Sequence, residues 1–336
     1  MSELLKMLRW EIRMQGPISV AQYMEMCLSH PLHGYYKKRD PFGVGGDFIT
    51  APEISQVFGE LIGLWAGTVW RLIGRPKKLG LVEFGPGRGT LMSDALRAAN
   101  AVPYFSKSIE LHLVETSEPL RQAQHNTLAD YAPVWHQNDT TLPDGPIIVI
   151  ANEFFDALPI KQFFKRQDDW YEKFVDLRNP KDAKFNEVRT NIKLTEEKLN
   201  FEISKEQNVI EYSPVAFRYL KIIGDIIEKN EGGILIIDYG YLNQKMQDTL
   251  QAVNNHKYSN ILENIGETDI TYNINFNLFQ KFINQYKNLD TLVTTQKKFL
   301  TSMGILQRAE IVSKDCLLYT SPSPRDRTRS RMPSSA

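Results

Sequence analysis

The chain has 336 residues, and its 40 basic side chains balance its 40 acidic ones, which argues against nucleic acid or a membrane surface as partner. With 42% hydrophobic residues it can form one large or two modest cores, but no apolar run approaches the roughly 20 residues that span a bilayer. Two cysteines, Cys27 and Cys316, predict a reducing compartment without a disulfide framework.

The N-terminal region, residues 1–78, is predicted to be mostly helical and interrupted by polar, glycine-rich loops. Ser19 can cap a helix over Val20–Cys27, and a long amphipathic helix is predicted from about Glu53 to Leu72. The loop between these helices is glycine-rich, as a segment that closes over a ligand would be. We therefore expect Asp47 and Thr50 to cover a bound ligand, the alternative being a plain surface loop.

The most informative stretch is LGLVEFGPGRGT, residues 79–90. An apolar strand over Leu79–Phe84 is followed by alternating glycines at 85, 87 and 89 and by a predicted helix over Leu91–Arg97. Glycine permits positive φ and close backbone approach, and the N-terminus of the helix would face the ligand. A second predicted strand, Ile109–Val114, ends at Glu115, whose carboxylate would accept both hydroxyls of a ribose. The pattern indicates a nucleotide-type site on a parallel α/β sheet.

The glycine spacing distinguishes between nucleotides. A dinucleotide site requires Gly-x-Gly-x-x-Gly, and Thr90 stands where its third glycine should be, which disfavours an NAD enzyme. The pattern Glu-x-Gly-x-Gly-x-Gly is typical of S-adenosylmethionine (SAM) enzymes; the alternative is a glycine-rich turn in an ordinary α/β protein. We expect Gly85, Gly87 and Gly89 to cradle the amino-acid part of this donor. Glu83 is expected to hold its ammonium group, directly or through water.

Further candidates follow the next predicted strands. Asn138 and Asp139 come after a short strand over Val134–His136 and are expected to contact the adenine. A continuous apolar strand, residues 145–150, runs into Asn152, Glu153 and Asp156, at the end of a strand where such sites form. We expect Asn152 beside the donor, and Glu153 and then Asp156 to bind the acceptor. The alternatives are that Asp156 caps a helix from Ala157 or that Glu153 pairs with a local lysine.

The second half contains an inserted β-rich subdomain over residues 161–205, with a hairpin over Phe163–Leu177. The elements predicted after it are a helix over Glu211–Asn230, a buried strand over Gly233–Gly240, a helix over Asn275–Tyr286 and a strand over Leu289–Thr295. Asp238 and Glu211 are weaker candidates for the acceptor pocket. His30 and His33 lie three residues apart, but no Cys or acid completes a ligand set, so we expect local turn contacts and no metal.

Residues 315–336 differ in composition from everything before them: Ser, Arg and Pro are frequent from Ser321 onward, and Val, Ile, Leu and Phe do not occur. One interpretation is a disordered basic tail. We favour another, in which the string is a translated sequencing adapter, because codons for residues 316–326 and 330–336 can spell such an oligonucleotide in one frame. The natural protein is then interrupted near Lys314, and the tail is not a nucleic-acid-binding arm.

The chain resembles one family closely over residues 16–309, the MidA-like class I SAM-dependent methyltransferases, which include a mitochondrial complex I assembly factor that methylates an arginine. The matching blocks are GPISVAQYM (16–24), HPLHGYY (30–36), GGDFITAPEISQVFGELIG (45–63), EFGPGRGTLM (83–92), ANEFFDALPIKQF (151–163), IIDYGY (236–241), DTLQAV (248–253) and GETDIT (266–271). Several long blocks in the right order are far more specific than a glycine loop alone.

The resemblance implies a Rossmann-like class I methyltransferase sheet of seven strands, the last one antiparallel, with SAM as methyl donor. It implies a protein arginine as acceptor, on a respiratory complex I subunit near the quinone site, modified during assembly. Members of the family continue to a last strand with a Met-Gly and Phe-Lys pattern that does not occur here. We therefore expect the last strand to be missing and the chain, as it stands, to be a marginally stable fragment with reduced or no activity.

We expect the SAM-binding domain to comprise residues 79–160 and 206–314, with 1–78 covering the donor site and 161–205 binding substrate. The first residues lack a signal-peptide core and carry Glu3 and Glu11, which argues against a transit peptide. The location is then the cytoplasm in a bacterium or the mitochondrial matrix in a eukaryote. Two other functions stay open: a methyltransferase for another protein or a small molecule, and a SAM-binding assembly chaperone with little catalysis.

Overall fold

The computed structural model describes residues 2–38, 50–137, 141–179, 183–254 and 257–317. The predicted site residues Asp47, Asn138 and Asp139 and the part of the predicted tail from residue 318 onward lie outside these ranges. None of the helices within them combines the length and the apolarity that crossing a bilayer requires.

Thirteen α-helices occur in the described residues. They are α1 (Glu3–Gln15), α2 (Val20–Ser29), α3 (Tyr35–Lys38), α4 (Ala51–Ile54), α5 (Gln56–Leu72), α6 (Thr90–Ala99), α7 (Phe105–Ser108), α8 (Glu118–Thr127), α9 (Ile192–Leu199), α10 (Pro214–Asn230), α11 (Phe276–Ile283), α12 (Gln296–Ser302) and α13 (Ile305–Leu317). Many begin at a side-chain cap: Ser19 forms a capping box with Gln22 at the start of α2, as its sequence position predicts.

Fifteen strands occur in the same ranges. They are β1 (Ile18–Ser19), β2 (Leu79–Phe84), β3 (Ile109–Val114), β4 (Val134–His136), β5 (Ile147–Asn152), β6 (Lys161–Arg166), β7 (Asp169–Asp176), β8 (Lys184–Thr190), β9 (Val209–Tyr212), β10 (Gly232–Ile237), β11 (Gly240–Tyr241), β12 (Gln251–Asn254), β13 (Lys257–Ser259), β14 (Asp269–Thr271) and β15 (Ile274–Asn275). The strands predicted over Leu79–Phe84, Ile109–Val114 and Val134–His136 form with those bounds.

The central sheet is entirely parallel, with the strand order β10-β5-β2-β3-β4. Strand β5, which lies between β10 and β2, is covered on both faces: Ile147–Ala151 are fully buried, which explains the continuous apolar run in the sequence. Helices α5 and α6 pack on one face of the sheet, and α10 packs against β5 and β10. The carboxyl ends of all five strands therefore meet at one edge.

Two features differ from expectation. The described residues form five strands in this sheet rather than seven, because after β10 the chain enters short strands that pair with each other in two smaller sheets. The strand predicted over Leu289–Thr295 is wrong: this segment is irregular, no strand of the described residues pairs with it, and Leu292 is 90% exposed.

The long helix predicted from about Glu53 to Leu72 is interrupted. Ser55 is extended, with φ −154° and ψ 126°, so α4 ends before it and α5 begins after it. The Ser55 hydroxyl accepts a hydrogen bond from the backbone N–H of Val57, which makes Ser55 an N-cap. The amphipathic pattern continues across this break, which is why periodicity alone did not reveal it.

A second, antiparallel sheet holds the predicted hairpin. Strand β6 pairs with β7 and β9, and β7 also pairs with β1 and β8. The sheet thus includes Ile18–Ser19 and Val209–Tyr212, which lie outside the 161–205 range expected for an inserted subdomain. Its core is continuous with one face of the parallel sheet, so the N-terminal helices α1 and α2 pack into the same hydrophobic cluster.

Helices α5 and α6 approach closely along a stripe of glycines. A Cβ atom at Gly59 would lie 2.6 Å from Cβ of Asp94, and one at Gly63 would lie 2.2 Å from the backbone oxygen of Ala95. No side-chain rotation can relieve a clash with backbone. The small residues at these positions therefore set the distance between the two helices and the position of α6, which follows the glycine loop.

We expect Gly63→Ala to destabilise the fold by about 3 kcal/mol, because the added methyl group forces α5 away from α6. Chemical denaturation monitored by circular dichroism measures the change. Gly145→Ala is the matched control: a Cβ there meets nothing within 4 Å, so its effect should stay within about 0.5 kcal/mol. Equal stability of the two variants would contradict the close packing.

Candidate active site

The loops after β2 and β3 lie side by side because their strands pair in register, Phe84 opposite Val114. The backbone N–H of Gly85 donates to the carbonyl of Val114 (3.1 Å), and that of Glu115 donates to the carbonyl of His136 (3.1 Å). Three neighbouring strands therefore end at the same level. The glycine loop and Glu115, predicted to hold two parts of one ligand, are placed together by the sheet.

The glycine loop has backbone angles that favour glycine. Gly85, Gly87 and Gly89 have φ values of 61°, 55° and 84°, all in the left-handed region. A Cβ at Gly85 would also lie 2.8 Å from Cδ2 of Phe154, so the ring covers the first turn of the loop. Gly89 is the N-cap of α6, which leaves the first N–H groups of that helix facing the edge of the sheet.

Glu83 lies on β2 directly below the glycine loop and is 2% exposed. Its Oε2 atom is buried and has no hydrogen-bond partner among the described residues. Burial raises the pKa of Glu83 to about 8, so the carboxyl group is mainly protonated at pH 7. A buried, unpartnered carboxyl oxygen fits a site that receives a cationic group, so we keep the prediction that Glu83 holds the donor ammonium.

Glu115 is held rigidly at the end of β3. Its Oε1 atom accepts hydrogen bonds from the backbone N–H groups of Thr116 (2.8 Å) and Ser117 (2.7 Å), and Oε2 accepts from Nε2 of Gln124 (3.3 Å). Burial raises the pKa of this carboxyl, and the three hydrogen bonds oppose that rise. The carboxylate keeps acceptor capacity on Oε2, as binding a ribose hydroxyl requires.

Helix α4 contacts the glycine loop through a residue that the sequence analysis did not single out. Thr50 is buried and precedes α4, without a side-chain cap hydrogen bond. Three residues later, Glu53 accepts a hydrogen bond from the hydroxyl of Thr90 (2.8 Å) and lies 3.9 Å from Arg88. Helix α4 is thereby tied to the glycine loop. The only sequence signal for Glu53 was its place in the block that contains Thr50.

The segment after β5 carries backbone strain. Glu153 has a φ of 49°, a left-handed conformation that a residue with a side chain adopts at a cost. Its backbone N–H donates to the carbonyl of Ile237 (2.8 Å), which fixes it between β5 and β10. Beside it, Oδ1 of Asn152 is buried without a hydrogen-bond partner among the described residues. Strain at a carboxylate on the open edge of a sheet is typical of functional positions.

Four carboxylates gather at this point: Glu153, Asp156, Asp238 and Asp269, here called the acid cluster. Oδ2 of Asp238 accepts hydrogen bonds from the backbone N–H groups of Phe155 (3.0 Å) and Asp156 (3.2 Å). The hydroxyl of Tyr36 donates to Oδ1 of Asp269 (2.8 Å). The cluster thus joins parts of the chain that are far apart in sequence. Neither Asp269 nor Tyr36 was singled out from the sequence, although both lie in the blocks that carry the family resemblance.

The acid cluster concentrates negative charge away from water. Burial first, then the charges of Asp238 and Asp269, raise the pKa of Asp156 well above its usual range. Burial raises the pKa of Asp238 to about 7 against the effect of its backbone hydrogen bonds, and burial also raises the pKa of Glu153. Neighbouring carboxylates of this kind share protons until a cation arrives.

The open alternatives for these residues receive little support from the structure. No α-helix begins at Ala157: a single 3-10 turn, Phe155–Ala157, leads into extended chain at Leu158. Within the described ranges, no lysine or arginine forms an ion pair with Glu153. Glu211 differs, because Gln162 and Thr249 donate hydrogen bonds to its two oxygens and it faces those partners. His30 accepts backbone hydrogen bonds from Leu32 and His33 (3.2 Å each), which are local turn contacts.

A parallel sheet with a glycine loop after its central strand and a carboxylate at the end of the next strand is typical of class I methyltransferases. The Methyltransf_28 family model, which describes S-adenosyl-L-methionine-dependent methyltransferases, matches residues 61–295. The chain belongs to this MidA-like family, so its methyl donor is SAM, as the sequence predicted.

Curated relatives agree with this assignment. The chain is 34% identical over 334 residues to a protein named protein arginine methyltransferase NDUFAF7, mitochondrial, of Xenopus tropicalis, covering 92% of this chain and 77% of that protein. Its identity to the human protein of the same name is 33% over 333 residues, with coverage of 92% and 75%.

The fold has a solved counterpart. A crystal structure of a COG1565 superfamily member from Burkholderia thailandensis, bound to S-adenosyl-homocysteine, matches with a TM-score of 0.76. The match covers 97% of this chain and 84% of that one at 24% identity, so it bears on the fold alone. The predicted class I methyltransferase fold is confirmed.

We expect SAM binding to release a proton from Glu83 near pH 7. The pKa of Glu83 is about 8 before binding, and a bound ammonium group favours the ionised form. Affinity should therefore rise with pH until about pH 8, by at most about tenfold per pH unit. Calorimetry in buffers of different ionisation enthalpy measures how many protons are released for each SAM molecule bound. Glu83→Gln should abolish most of the release; an unchanged proton count in this variant would contradict the assignment.

The raised pKa of Glu83 also makes the stability of the fold depend on pH, and the direction of that dependence can be stated. Because the pKa is raised in the folded state above the unfolded value of about 4.3, Glu83 favours folding at low pH. That contribution is lost as pH rises through about 8. SAM should therefore stabilise the protein more at pH 8 than at pH 6.

Proposed function

We propose that this protein transfers a methyl group from SAM to the guanidinium of an arginine in a protein substrate. The observation that carries the proposal is the acid cluster. In the part of the chain that the structure describes, Glu153, Asp156 and Asp238 form no ion pair with a basic residue. Buried carboxylates without a cation favour a cationic ligand, and a guanidinium offers five N–H donors in a plane.

The acid cluster adjoins the donor site. Phe154, the residue between Asn152–Glu153 and the 3-10 turn, packs its ring against Gly85 and lies 5.4 Å, centroid to centroid, from Phe84. A guanidinium held by Glu153 would therefore lie next to the glycine loop. This closeness is the requirement for transfer between two bound groups.

In this methyl transfer the donor and the carboxylates of the acid cluster have different roles. Bound SAM supplies an electrophilic methyl group on its sulfonium. A protonated guanidinium is a poor nucleophile, so Glu153 and Asp156 would fix its orientation through charge-assisted hydrogen bonds and direct one nitrogen toward the methyl group. As the bond from that nitrogen to the methyl carbon forms, the bond from sulfur to the same carbon would break and release S-adenosyl-homocysteine, and the nitrogen would lose a proton. The raised pKa values of Asp156 and Asp238 suit these carboxylates to accept it.

The protein substrate is inferred to be a subunit of respiratory complex I, at an arginine near the quinone site. The family resemblance supports this proposal, and so do the relatives named as mitochondrial protein arginine methyltransferases. On this proposal the protein acts where complex I is assembled, in the mitochondrial matrix of a eukaryote or the cytoplasm of a bacterium.

The test combines methyl-labelled SAM with complex I subunits from cells that lack the gene. Mass spectrometry should find the label on one arginine of a subunit near the quinone site, and an acceptor with lysine in place of that arginine should take up none. Label on another residue type or on a small molecule would contradict the arginine assignment. Restored assembly without any label would instead favour a chaperone.

A further inference from the structure

Helix α8 packs directly against the glycine loop. A Cβ at Gly89 would lie 3.2 Å from Cδ1 of Leu128 and 3.6 Å from Cα of Gln124. Gln124 has no solvent exposure. We propose that Gln124 is a positioning residue for SAM: it fixes the glycine loop and the ribose-binding carboxylate Glu115 relative to each other. The inference rests on the donor site and not on the proposed acceptor.

Both polar atoms of the Gln124 side chain have hydrogen-bond partners. Its Nε2 group donates to the backbone oxygen of Gly87 (2.8 Å) and to Oε2 of Glu115 (3.3 Å). Its Oε1 atom accepts from Nε1 of Trp135 on β4 (2.9 Å). An amide side chain offers two N–H donors and a carbonyl oxygen, so each part of the group has a partner. The bond from Trp135 also fixes which end of the amide faces the donor site.

The two acceptors of Nε2 belong to the two halves of the donor site. Gly87 is the middle glycine of the loop expected to cradle the amino-acid part of SAM. Oε2 is the oxygen of Glu115 that keeps acceptor capacity, since Oε1 is taken by the N–H groups of Thr116 and Ser117. Without Gln124, these two acceptors would have no common donor, and the carboxylate oxygen that faces the ribose would be held by nothing else among the described residues.

The first test is Gln124→Met, which keeps length and volume and removes the hydrogen bonds. We expect the Kd of SAM, measured by calorimetry, to rise at least tenfold, and the KM for SAM to rise in parallel. At saturating SAM, kcat should stay within about twofold of the original protein, because Gln124 acts on donor binding and not on the acceptor.

Gln162→Met is the matched control. Gln162 is also fully buried, and its Nε2 group donates to two carboxylates, Oε2 of Glu211 (2.5 Å) and Oδ1 of Asp248 (2.7 Å). It should lose comparable stability in thermal denaturation without a change in the Kd of SAM. If Gln124→Met loses stability like the control and keeps its Kd for SAM, the positioning role is wrong.

A second variant, Gln124→Glu, should bind SAM with a pH dependence that substitution of a purely structural residue would not produce. At pH 8 the new carboxylate repels Glu115 and cannot donate a hydrogen bond; at pH 6 a larger fraction is protonated and can donate one. The other charged groups around the pair, Lys37, Arg121 and His136, are common to both proteins. The ratio of variant Kd to original Kd should therefore fall as the pH is lowered from 8 to 6, and a ratio independent of pH would overturn the proposal.

Discussion

Glu153→Gln is expected to reduce methyl transfer by about 10³-fold, while Glu153→Gly should do the same and also stabilise the fold. The amide keeps the shape of the side chain but loses the charge that binds and orients a guanidinium. The KM for the protein acceptor should rise and kcat should fall, whereas the Kd of SAM should stay unchanged. Initial rates with labelled SAM measure the KM for the acceptor and kcat. Calorimetry measures the Kd of SAM.

The glycine variant separates function from folding. Because Glu153 has a φ of 49°, glycine at this position relieves strain of about 1–3 kcal/mol. Glu153→Gly should therefore be more stable than Glu153→Ala in chemical denaturation, and no more active. If Glu153→Gly retained full activity, the carboxylate would have no part in the reaction.

Glu115→Gln should weaken SAM binding by about 100-fold, since hydrogen bonds to a charged group contribute about 1.5–3 kcal/mol each. The substitution retains an oxygen for the N–H groups of Thr116 and Ser117. It places an NH₂ group where Oε2 accepts from Gln124 and would accept from the ribose. Both the ribose contact and the contact to Gln124 are therefore lost.

Glu110→Gln provides the control for this prediction on the same strand. Its side chain is half exposed and pairs with Lys78 at 2.9 Å, away from the open edge of the sheet. Calorimetric titration with SAM should give an unchanged Kd for this variant. If Glu115→Gln also left the Kd unchanged, the ribose would lie elsewhere, and the placement of the donor over the ends of β2 and β3 would be wrong.

The sequence by itself predicted a parallel sheet and named the residues that we expect to bind the donor. Strands β2, β3 and β4 were predicted with their observed bounds because each is a short apolar run closed by a polar or glycine residue. The glycine loop and Glu115 follow directly after strands that pair in register, so their closeness is a consequence of the sheet. Sequence patterns of this kind are local. A few consecutive residues are enough to predict a strand, the turn that follows it and the residue at which the strand ends.

Only the tertiary structure decided how distant segments meet. Asp269 and Tyr36 are separated by more than two hundred residues and become hydrogen-bonded because α3 and β14 pack at the same edge of the sheet. Gln124 looks like any polar residue of a helix, and its burial depends on the fit of α8 against the glycine loop. The failed strand at Leu289–Thr295 has the same explanation, since an apolar run becomes a strand only where a partner lies beside it. The local sequence pattern specifies the helices and strands. Which side chains share a site is decided by packing, because packing depends on all of the helices and strands together.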